Sequence, residues 1–446
     1  MEIQEKGTTN VKIESLDKRT FSTTVLTNLG TCILPSAEIG TVFASSKFCA
    51  AYAVKGGNVR AMLIKSNINT LLMGHSMPII DICFAPGEQK QLGFATLATL
   101  SSDGVCKIWE IANQEAGSEL DTREVVSMRT KGNTAQRVIF HPGYTSGNHL
   151  LFILHGNLAS GVLINKEFRE DAVDLTSNII ERSSSVRLSR DSKVLDMSFY
   201  QVNEGHFKCA TSHEDGTVCL WNLFSSPLPT VIGNDDDGAS TVSMESSAVS
   251  PPRSHSRTSI AHEPTPQCIK VSKSPVLTVG FINSLTILVG TSKNCEISLW
   301  SSEAPSHPIQ TINLNKNSSS VRSFRSAFLQ RNVDQASCLA LFDSRSNDAV
   351  ILQIPKGISI KHAFALKVSH PILSVTGEYD SDRDKLLYHF VDSESIGEIE
   401  LNSETGFGSS TSQEVKLLLR RVSKRASKSS LKSEVGSKQA PCCVIS

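Results

Sequence analysis

The sequence contains few tryptophans and no paired cysteine motif. Three of its 446 residues are tryptophan and eleven are cysteine. No two cysteines stand in the Cys-x-x-Cys spacing of common zinc sites and thioredoxin-like redox sites, which argues against both kinds of site. Nine of the eleven stand singly, several within apolar runs such as SKFCAAYAV and IIDICFAP. This pattern predicts buried free thiols in a reducing cytoplasm.

Targeting, membrane-spanning and catalytic signatures are also lacking. No N-terminal signal sequence and no run of about 18 apolar residues is present, which predicts a chain that neither enters the secretory route nor spans a membrane. No Gly-x-Ser-x-Gly elbow, Gly-Lys-Ser/Thr loop, His-Glu-x-x-His motif or kinase glycine-rich loop occurs. The acidic run GNDDDG lacks the alternating carboxylates and distal glutamate of a calcium loop. We therefore expect a protein that is not an enzyme and that needs no metal or cofactor.

The net charge is zero, but the charges are unevenly distributed. Residues 416–446 carry eight Lys or Arg against one acid, Glu434, so residues 1–415 carry 36 basic and 43 acidic groups, a net charge of −7. Nucleic-acid binding requires clustered Lys and Arg that neutralise phosphates. An acidic body with a basic tail argues against direct binding of nucleic acid by the body.

Strand-like segments dominate the chain and repeat. Apolar, β-branched runs alternate with polar turn clusters, which predicts an all-β fold. Three segments show the same pattern: FATLATLSSDGVCKIWEI, FKCATSHEDGTVCLWNL and LTILVGTSKNCEISLWSS. Their turns contain Asp103-Gly104, Asp215-Gly216 and Asn294-Cys295. For the Asp-Gly turns we expect type I′ geometry, with positive φ at both central residues.

This pattern resembles the WD repeat, in which each copy builds one four-stranded blade of a β-propeller. The three tryptophans stand at one position of the repeat, as Trp109, Trp221 and Trp300, where the resemblance implies packing between blades. The first copy also has Gly74-His75 upstream, at the place of the repeat's Gly-His element. The resemblance implies a buried hydrogen-bonded network in this blade, formed by His75, Ser101 (or Thr99), Asp103 and Trp109.

The other two copies keep only part of that pattern. The second retains Asp215 and Trp221 but lacks Gly-His, and the third retains Trp300 without either Gly-His or the turn aspartate. Their networks would be incomplete, so we expect sheet packing to hold these blades in place.

With four weaker copies, the repeats predict a single seven-bladed propeller over residues 19–405. Residues 1–18 are polar and are expected to be disordered. Residues 224–267 are rich in Ser and Pro and predict a disordered insertion between blades four and five. The early segment TFSTTVLTNL is expected to close the ring by pairing into the last blade. Residues 406–446 are expected to form a basic, flexible tail.

The order of the blade sequences resembles the N-terminal propeller of the enhancer-of-mRNA-decapping family, the varicose-like scaffolds of mRNA decay. FCAAYAVKGGNVRAMLIKSNINTLLMGHSMPIIDICFA is similar to that family's first blade, and LTILVGTSKNCEISLWSSEAPSHPIQTINL to a later one. ALKVSHPILSVT, followed by LLYHFVDSESIGEIEL, is similar to its closing blade. The resemblance covers about residues 40–402 and implies partners among the decapping-complex subunits. The family usually continues into a C-terminal helical domain, for which this sequence has no counterpart.

The chain ends in Cys443-Val444-Ile445-Ser446, which matches the Cys-aliphatic-aliphatic-X motif, and the terminal Ser favours a farnesyl group on Cys443. One prenyl chain anchors weakly, but Cys442 is a candidate for palmitoylation and the basic residues favour an anionic membrane surface. Ser423, in the sequence RRVS, is a candidate phosphorylation site whose phosphate would offset part of this basic charge. Two other interpretations stay open: an accidental ending of a disordered tail, and a short amphipathic helix, VKLLLRRV, that binds a partner.

These features support two functions. The first is a non-enzymatic protein-interaction scaffold of cytoplasmic mRNA decapping and decay, located in mRNA-decay granules (P-bodies). The alternative is a prenylated, membrane-tethered signalling or trafficking scaffold with a membrane-associated pool. An RNA-binding propeller ranks third because of the acidic body.

Overall fold

The computed structural model of the chain is an all-β propeller, as predicted. It describes residues 13–15, 21–28, 40–46, 48–64, 66, 68–86, 93–113, 119–130, 134–143, 149–164, 173–179, 186–203, 206–224, 265–314, 322–329, 337–354, 359–360, 362–380 and 385–402. Within these residues, the strands form seven sheets, and the only helix is the three-residue 3-10 turn Lys55–Gly57.

The seven sheets are blades that follow one another along the chain. Blade one contains Phe43–Ser45, Cys49–Val54, Asn58–Leu63 and Asn69–Leu72; blade two contains Ile79–Phe84, Phe94–Ser101, Val105–Asn113 and Leu120–Arg129; blade three contains Ala135–Phe140, His149–His155, Leu158–Ile164 and Val186–Ser189. Blade four contains Val194–Asn203, His206–His213, Thr217–Phe224 and Gln267–Lys270; blade five contains Val276–Asn283, Thr286–Thr291, Glu296–Ser301 and Gln310–Asn313. Blade six contains Phe324–Leu329, Ser337–Asp343, Asp348–Ile354 and His362–Lys367; blade seven contains Ser374–Asp380, Lys385–Val391 and Ser395–Asn402.

The strands of each blade pair in chain order, antiparallel, from a first, inner strand to a fourth, outer one. Blade seven receives its outer strand from the start of the chain, because Phe21–Asn28 pairs antiparallel with the third strand of that blade. The predicted closure of the ring is therefore confirmed. Two further segments add parallel fifth strands: Ile13–Ser15 on blade six and Val173–Ile179 on blade two.

The hydrophobic core is divided among the seven junctions between neighbouring blades, each of which holds one buried cluster. A strand places successive side chains on opposite faces of its sheet, and both faces of a blade are covered by neighbours. In the second strand of blade three, Leu151 and Ile153 pack toward blade two, whereas Leu150, Phe152 and Leu154 pack toward blade four. This burial on both faces explains why the inner strands are continuous apolar runs in the sequence.

A chain of buried polar contacts connects the inner strands of successive blades. Asp81, on the inner strand of blade two, is 1% exposed. Its Oδ1 accepts a hydrogen bond from the backbone N–H of Thr41, which precedes blade one, at 2.6 Å. Its Oδ2 accepts one from the backbone N–H of Val138 in blade three, at 2.8 Å. One carboxylate thus joins three blades.

Arg137 extends this chain to blades four and five. Its guanidinium lies 3.8 Å from the Asp81 carboxylate and donates to Asp196, on the inner strand of blade four. Asp196 also accepts the backbone N–H of Val279 in blade five, at 3.0 Å. Burial raises the pKa of both carboxyl groups, and the Arg137 charge opposes that rise. The guanidinium therefore compensates two carboxylates that water cannot reach.

The Asp-Gly turns differ from the predicted type I′ geometry. Only the glycines have positive φ, with 80° at Gly104 and 84° at Gly216, and the preceding aspartates do not. The N–H of Gly104 donates to the carbonyl of Ser101 at 2.9 Å, as in a type I turn followed by a left-handed glycine. Each of these loops has three residues between its strands, one more than a two-residue hairpin. A three-residue loop needs the left-handed conformation only at its last residue, which is the glycine here.

The predicted boundaries of two segments were also wrong. Residues 225–264 connect the third strand of blade four to its own fourth strand, Gln267–Lys270, and so do not separate blades four and five. The short strand escaped prediction because only Ile269 is buried in it. At the N-terminus, Ile13–Ser15 is a strand within the range predicted to be disordered. Residues 1–12, 225–264 and 403–446, which contain most of the predicted disordered regions and the whole tail, lie outside the described residues.

The prediction that the single cysteines are all free thiols was wrong for one pair. Cys219 and Cys268 form a disulfide between the third and fourth strands of blade four, where they are directly opposite in register. They are 49 residues apart in the sequence, and only the strand pairing brings them together. The other described cysteines are free, and burial raises the pKa of one of them, Cys49, to about 12.

Replacing Arg137 by Leu is expected to destabilise the propeller strongly, because it leaves the carboxylates of Asp81 and Asp196 buried without a compensating charge. Removing one partner of a buried ion pair costs about 3–5 kcal/mol. The control is Arg123→Leu, since Arg123 pairs with Glu110 at 2.9 Å but its side chain is 52% exposed, and exposed pairs contribute less than about 1 kcal/mol. Denaturant unfolding measures the free energy of unfolding of both variants. An equal loss of this free energy in the two variants would contradict the role assigned to Arg137.

Candidate functional site

The residues around Gly74-His75 form a buried hydrogen-bonded chain at one end of blade two. The indole N–H of Trp109 donates to Thr99 Oγ1 at 2.9 Å. His75 bridges two hydroxyls, with Nε2 at 2.8 Å from Thr99 Oγ1 and Nδ1 at 2.9 Å from Ser101 Oγ. Ser101 Oγ in turn donates to the Asp103 carboxylate at 2.5 Å. The sequence analysis predicted either Ser101 or Thr99 in this chain, and the structure shows that both belong to it.

The Asp103 carboxylate, at the end of this chain, fixes the donor and acceptor of each hydrogen bond. A carboxylate can only accept, so the Ser101 hydroxyl spends its proton on Asp103 and must accept from His75 Nδ1. Burial, and then the Lys107 charge, lower the pKa of His75 to about 4, so the ring is neutral at pH 7 and its Nε2 is an acceptor. Thr99 then donates to Nε2 while accepting from Trp109. All donors point the same way, from the indole to the carboxylate.

Gly74 allows the loop to reach this position. Its φ is 131°, which side chains disfavour, and a Cβ there would lie 3.2 Å from Lys107 Nζ. Lys107 is needed at that place because its ammonium group pairs with both oxygens of Glu124, at 2.7 and 2.8 Å. Glycine stands at position 74 because a side chain there would crowd Lys107, and histidine stands at position 75 because it bridges Thr99 and Ser101.

Blade four builds a similar chain from a residue that the sequence analysis missed. Trp221 donates to Thr211 Oγ1 at 2.9 Å, and Thr211 Oγ1 lies 3.0 Å from Nε2 of His213. His213 Nδ1 lies 3.1 Å from the carbonyl oxygen of Ser192 and therefore donates to it. His213 stands two residues before Asp215, where blade two has Ser101 before Asp103. An imidazole on the strand itself thus replaces the missing Gly-His element, and this spacing was the signal that could have revealed it.

Asp215 has a different role from Asp103. It accepts from the N–H and hydroxyl of Thr217, at 3.0 and 2.9 Å, and lies 3.5 Å from the Arg190 guanidinium. His213 makes its hydrogen bonds with Thr211 and the Ser192 carbonyl oxygen instead. The turn borders an open depression of about 440 Å³, lined by Arg190, Asp191, Ser192, Lys193, Glu214 and Asp215.

Blade five lacks a histidine at this position. Trp300 donates to Ser298 Oγ on its own strand, at 2.8 Å. Asn294 occupies the space where blade two has Thr99, because a Cβ on Gly290 would lie 2.3 Å from Asn294 Oδ1. The Asn294 amide donates to the carbonyl oxygen of Phe324 in blade six, at 3.1 Å. The predicted Asn294-Cys295 turn thus fastens blade five to blade six.

The loop around His75 carries the most exposed large hydrophobic side chain of the described residues. Met73 is 65% exposed and Met77 is 46% exposed, and Leu71 beside them is 37% exposed. The backbone between them is held from both sides, by the His75 chain and by blade one, where a Cβ on Gly57 would lie 2.6 Å from the carbonyl oxygens of both His75 and Met77. We call Leu71, Met73 and Met77 the methionine surface. A fixed loop presents it to solvent.

The border of the methionine surface is basic. Asp103 is almost covered, with its side chain 14% exposed, and it accepts from Ser76 and lies 3.6 Å from Arg129. Arg129 itself is 53% exposed, and Lys55 is exposed on the adjoining turn of blade one. The accessible charge next to the methionines is therefore positive, although the body as a whole is acidic.

Cys442, Cys443 and Ser423 lie outside the described residues. Over the described part of the chain, no group of three or more His, Cys, Asp and Glu side chains is placed to hold a metal ion. No helix in the same residues is long and apolar enough to cross a membrane.

Residues 66–110, which contain Gly74-His75 and Trp109, match the family described as WD domain, G-beta repeat. These residues are thus similar to one WD repeat. No curated protein matches the chain in sequence. Among solved structures, it is similar to the WD40 domain of Toxoplasma gondii coronin, with a TM-score of 0.58 and 11% identity, covering 88% of both chains.

Two further solved structures are similar to this chain in fold. BBS1N in complex with ARL6DN has a TM-score of 0.53 at 8% identity, covering 86% of this chain and 98% of that one. U3-55K has a TM-score of 0.51 at 13% identity, covering 86% and 99%. At these identities the similarity establishes the fold alone.

Replacing His75 by Gln should lower the stability of the propeller and alter its pH dependence. The shorter amide cannot bridge Thr99 and Ser101, which costs about 1–3 kcal/mol at neutral pH. Because the folded pKa of His75, about 4, is below its unfolded value, the wild-type contribution is complete above about pH 6.5 and is lost as the pH falls toward 4. The variant should lose less stability over that interval.

The control for this experiment is His307→Gln, since His307 is exposed in blade five. Its urea midpoint and pH profile should equal those of the wild type. If His75→Gln and His307→Gln behaved alike from pH 7 to pH 4, the buried hydrogen-bonded chain would not have the role assigned to it.

Proposed function

We propose that this WD40 propeller is a non-enzymatic protein-interaction scaffold that binds its partner through the methionine surface. The observation that carries the proposal is the exposure of Met73 and Met77 on a loop whose backbone is fixed by the His75 chain. Isolated exposed apolar residues are ordinary, but two methionines on one rigid loop can anchor a partner with little loss of backbone entropy. Methionine also adapts its shape to different apolar side chains.

The partner that fits this surface is a peptide segment with apolar anchor residues and acidic flanking residues. The methionines contact the anchors, and the exposed cations Lys55 and Arg129 attract the flanks. Asp103 and Glu124 are already paired with cations of the propeller, so they repel such a segment little. Hot spots of protein interfaces are typically a few side chains that become desolvated on binding inside a polar rim. Met73 and Met77 would be those side chains here, with Lys55 and Arg129 at the rim.

For the biological setting, we propose mRNA decapping and decay in cytoplasmic granules, with decapping-complex subunits as partners. The support is the order of blade sequences from about residue 40 to residue 402, which resembles the propeller of the decapping enhancers. The coronin, BBS1N and U3-55K similarities support the scaffold fold and do not bear on this setting.

The double variant Met73→Asp, Met77→Asp is expected to reduce recovery of decapping subunits with the tagged full-length protein by at least about tenfold, since loss of one hot spot costs 2 kcal/mol or more. The substitutions affect exposed side chains, so the fold should be unchanged. The matched control is Val202→Asp, Leu285→Asp, since both residues are exposed. Val202 lies near the end of the inner strand of blade four and Leu285 just after the end of that of blade five, whereas Met77 lies just before the start of that of blade two.

Quantitative mass spectrometry of the recovered proteins distinguishes the outcomes. Loss with the methionine variant but not with the control supports both the surface and the setting. Recovery that is equal with both variants would reject the surface, and a wild-type sample that repeatedly lacks decapping subunits would reject the setting.

A second function is supported by the C-terminal sequence. We propose as the alternative a membrane-tethered signalling or trafficking scaffold, farnesylated on Cys443 and further anchored by Cys442 and the basic residues. Phosphorylation of Ser423 would weaken its attraction to an anionic membrane.

Substituting Cys443 by Ser should remove any membrane-associated pool in cells, because the thioether to the prenyl group cannot form. Fractionation and fluorescence microscopy measure that pool, with Ser437→Ala as a control in the same tail that leaves the Cys443–Ser446 motif intact. An identical distribution of wild type and Cys443→Ser would eliminate the membrane-tethered alternative.

A further inference from the structure

The two cysteines of the blade four disulfide differ in exposure. Cys219 and Cys268 face each other across the third and fourth strands, with a Cα–Cα distance of 4.2 Å. Cys219 is 0% exposed and belongs to the cluster between blades three and four, whereas Cys268 is exposed on the outermost strand. The buried sulfur of Cys219 is closed to a thiolate from solvent, so such a thiolate approaches the bond from the side of Cys268.

Arg190 stands beside the buried sulfur. Its Nη1 lies 3.2 Å from Cys219 Sγ, and its Nη2 lies 3.5 Å from the Asp215 carboxylate. A guanidinium favours a thiolate over a neutral thiol, and a better stabilised thiolate leaves faster in thiol–disulfide exchange. Exposure thus favours attack at Cys268, and Arg190 favours departure of the Cys219 sulfur as a thiolate.

We propose that Cys219–Cys268 is a reversible thiol–disulfide exchange site that takes a small thiol such as glutathione. The glutathione thiolate attacks Cys268 Sγ, the Cys219–Cys268 bond breaks, and its electron pair passes to Cys219, whose thiolate forms beside Arg190. A second glutathione thiolate then attacks the glutathione sulfur on Cys268, giving oxidised glutathione and the Cys268 thiolate. The two protein thiolates take protons from water. Oxidised glutathione is the oxidant for the reverse reaction.

The other described cysteines do not share these features. Burial raises the pKa of Cys83, Cys106 and Cys209, so they hold little thiolate. Cys295 and Cys338 are also buried. Exchange is therefore expected at blade four in preference to the rest of the described chain.

The fourth strand of blade four is short, and the disulfide is its one covalent cross-link to the third strand. Gln267–Lys270 has four residues, of which only Ile269 is buried. Beyond its ladder, it contacts the Asp215 turn, because Lys270 Nζ donates to the carbonyl oxygen of Asp215 and the N–H groups after the strand donate to Gly216 at 3.1 Å. Reduction should loosen the strand and the turn together, and with them the depression beside Arg190.

The test uses the full-length protein equilibrated in glutathione buffers from strongly reducing to strongly oxidising. After the thiols are trapped by alkylation, peptide mass spectrometry measures the oxidised fraction of the Cys219–Cys268 pair, and hydrogen exchange measures residues 267–272. We expect a reversible transition, a transient glutathione adduct on Cys268, and exchange at least about tenfold faster in the reduced protein. Exchange in blade two should not change.

Three variants sharpen the test. Cys268→Ser should exchange fast at residues 267–272 in every buffer, and Gln267→Ser, on the same exposed strand, should keep the wild-type response. Arg190→Gln should slow reduction by glutathione several-fold while leaving Cys268 the attacked residue. The proposal is overturned if the pair stays reduced in every buffer, if exchange of residues 267–272 does not depend on the oxidised fraction, or if the adduct forms on Cys219.

Discussion

The fold depends on a buried chain of charges near the propeller axis. Asp81 and Asp196 each accept a backbone N–H from the next blade along the chain, and Arg137 lies between them. Each carboxylate is expensive to bury alone, so the arrangement is stable only when all these partners are in place. Hydrophobic clusters at the junctions supply the larger share of the favourable free energy, but they are non-directional. The charged chain adds direction, because it fixes how one inner strand is aligned with the next.

A rigid ring lets individual blades differ. Blade two holds its loop with His75, blade four uses His213 on the strand itself, and blade five replaces the histidine by Asn294, which reaches blade six. Three blades therefore use three different sets of hydrogen bonds at the same turn of the repeat. In blade two the solution also fixes Met73 and Met77 at the surface, which links a buried hydrogen-bonded chain to the proposed binding function.

The repeat, the seven blades and the closing N-terminal strand were predictable because each depends on local signals: apolar strands, Asp-Gly turns and repeated tryptophans. Features that depend on pairing between distant residues were not. Nothing near Cys219 or Cys268 indicates that strand register places them opposite each other. Asp81 and Arg137 were not recognised for the same reason, since their contact joins two blades. His213 is the intermediate case, because its spacing to Asp215 matches that of Ser101 to Asp103.

If the charged chain aligns the inner strands as one unit, the amides that donate to its carboxylates must open together. Residue-resolved hydrogen exchange on the wild-type protein at neutral pH tests this most directly. The account predicts that the N–H groups of Val138 and Val279, in blades three and five, exchange at a common slow rate set by opening of the whole ring. Exchange of either amide at the rate of exposed turns, while the other stays protected, would contradict it.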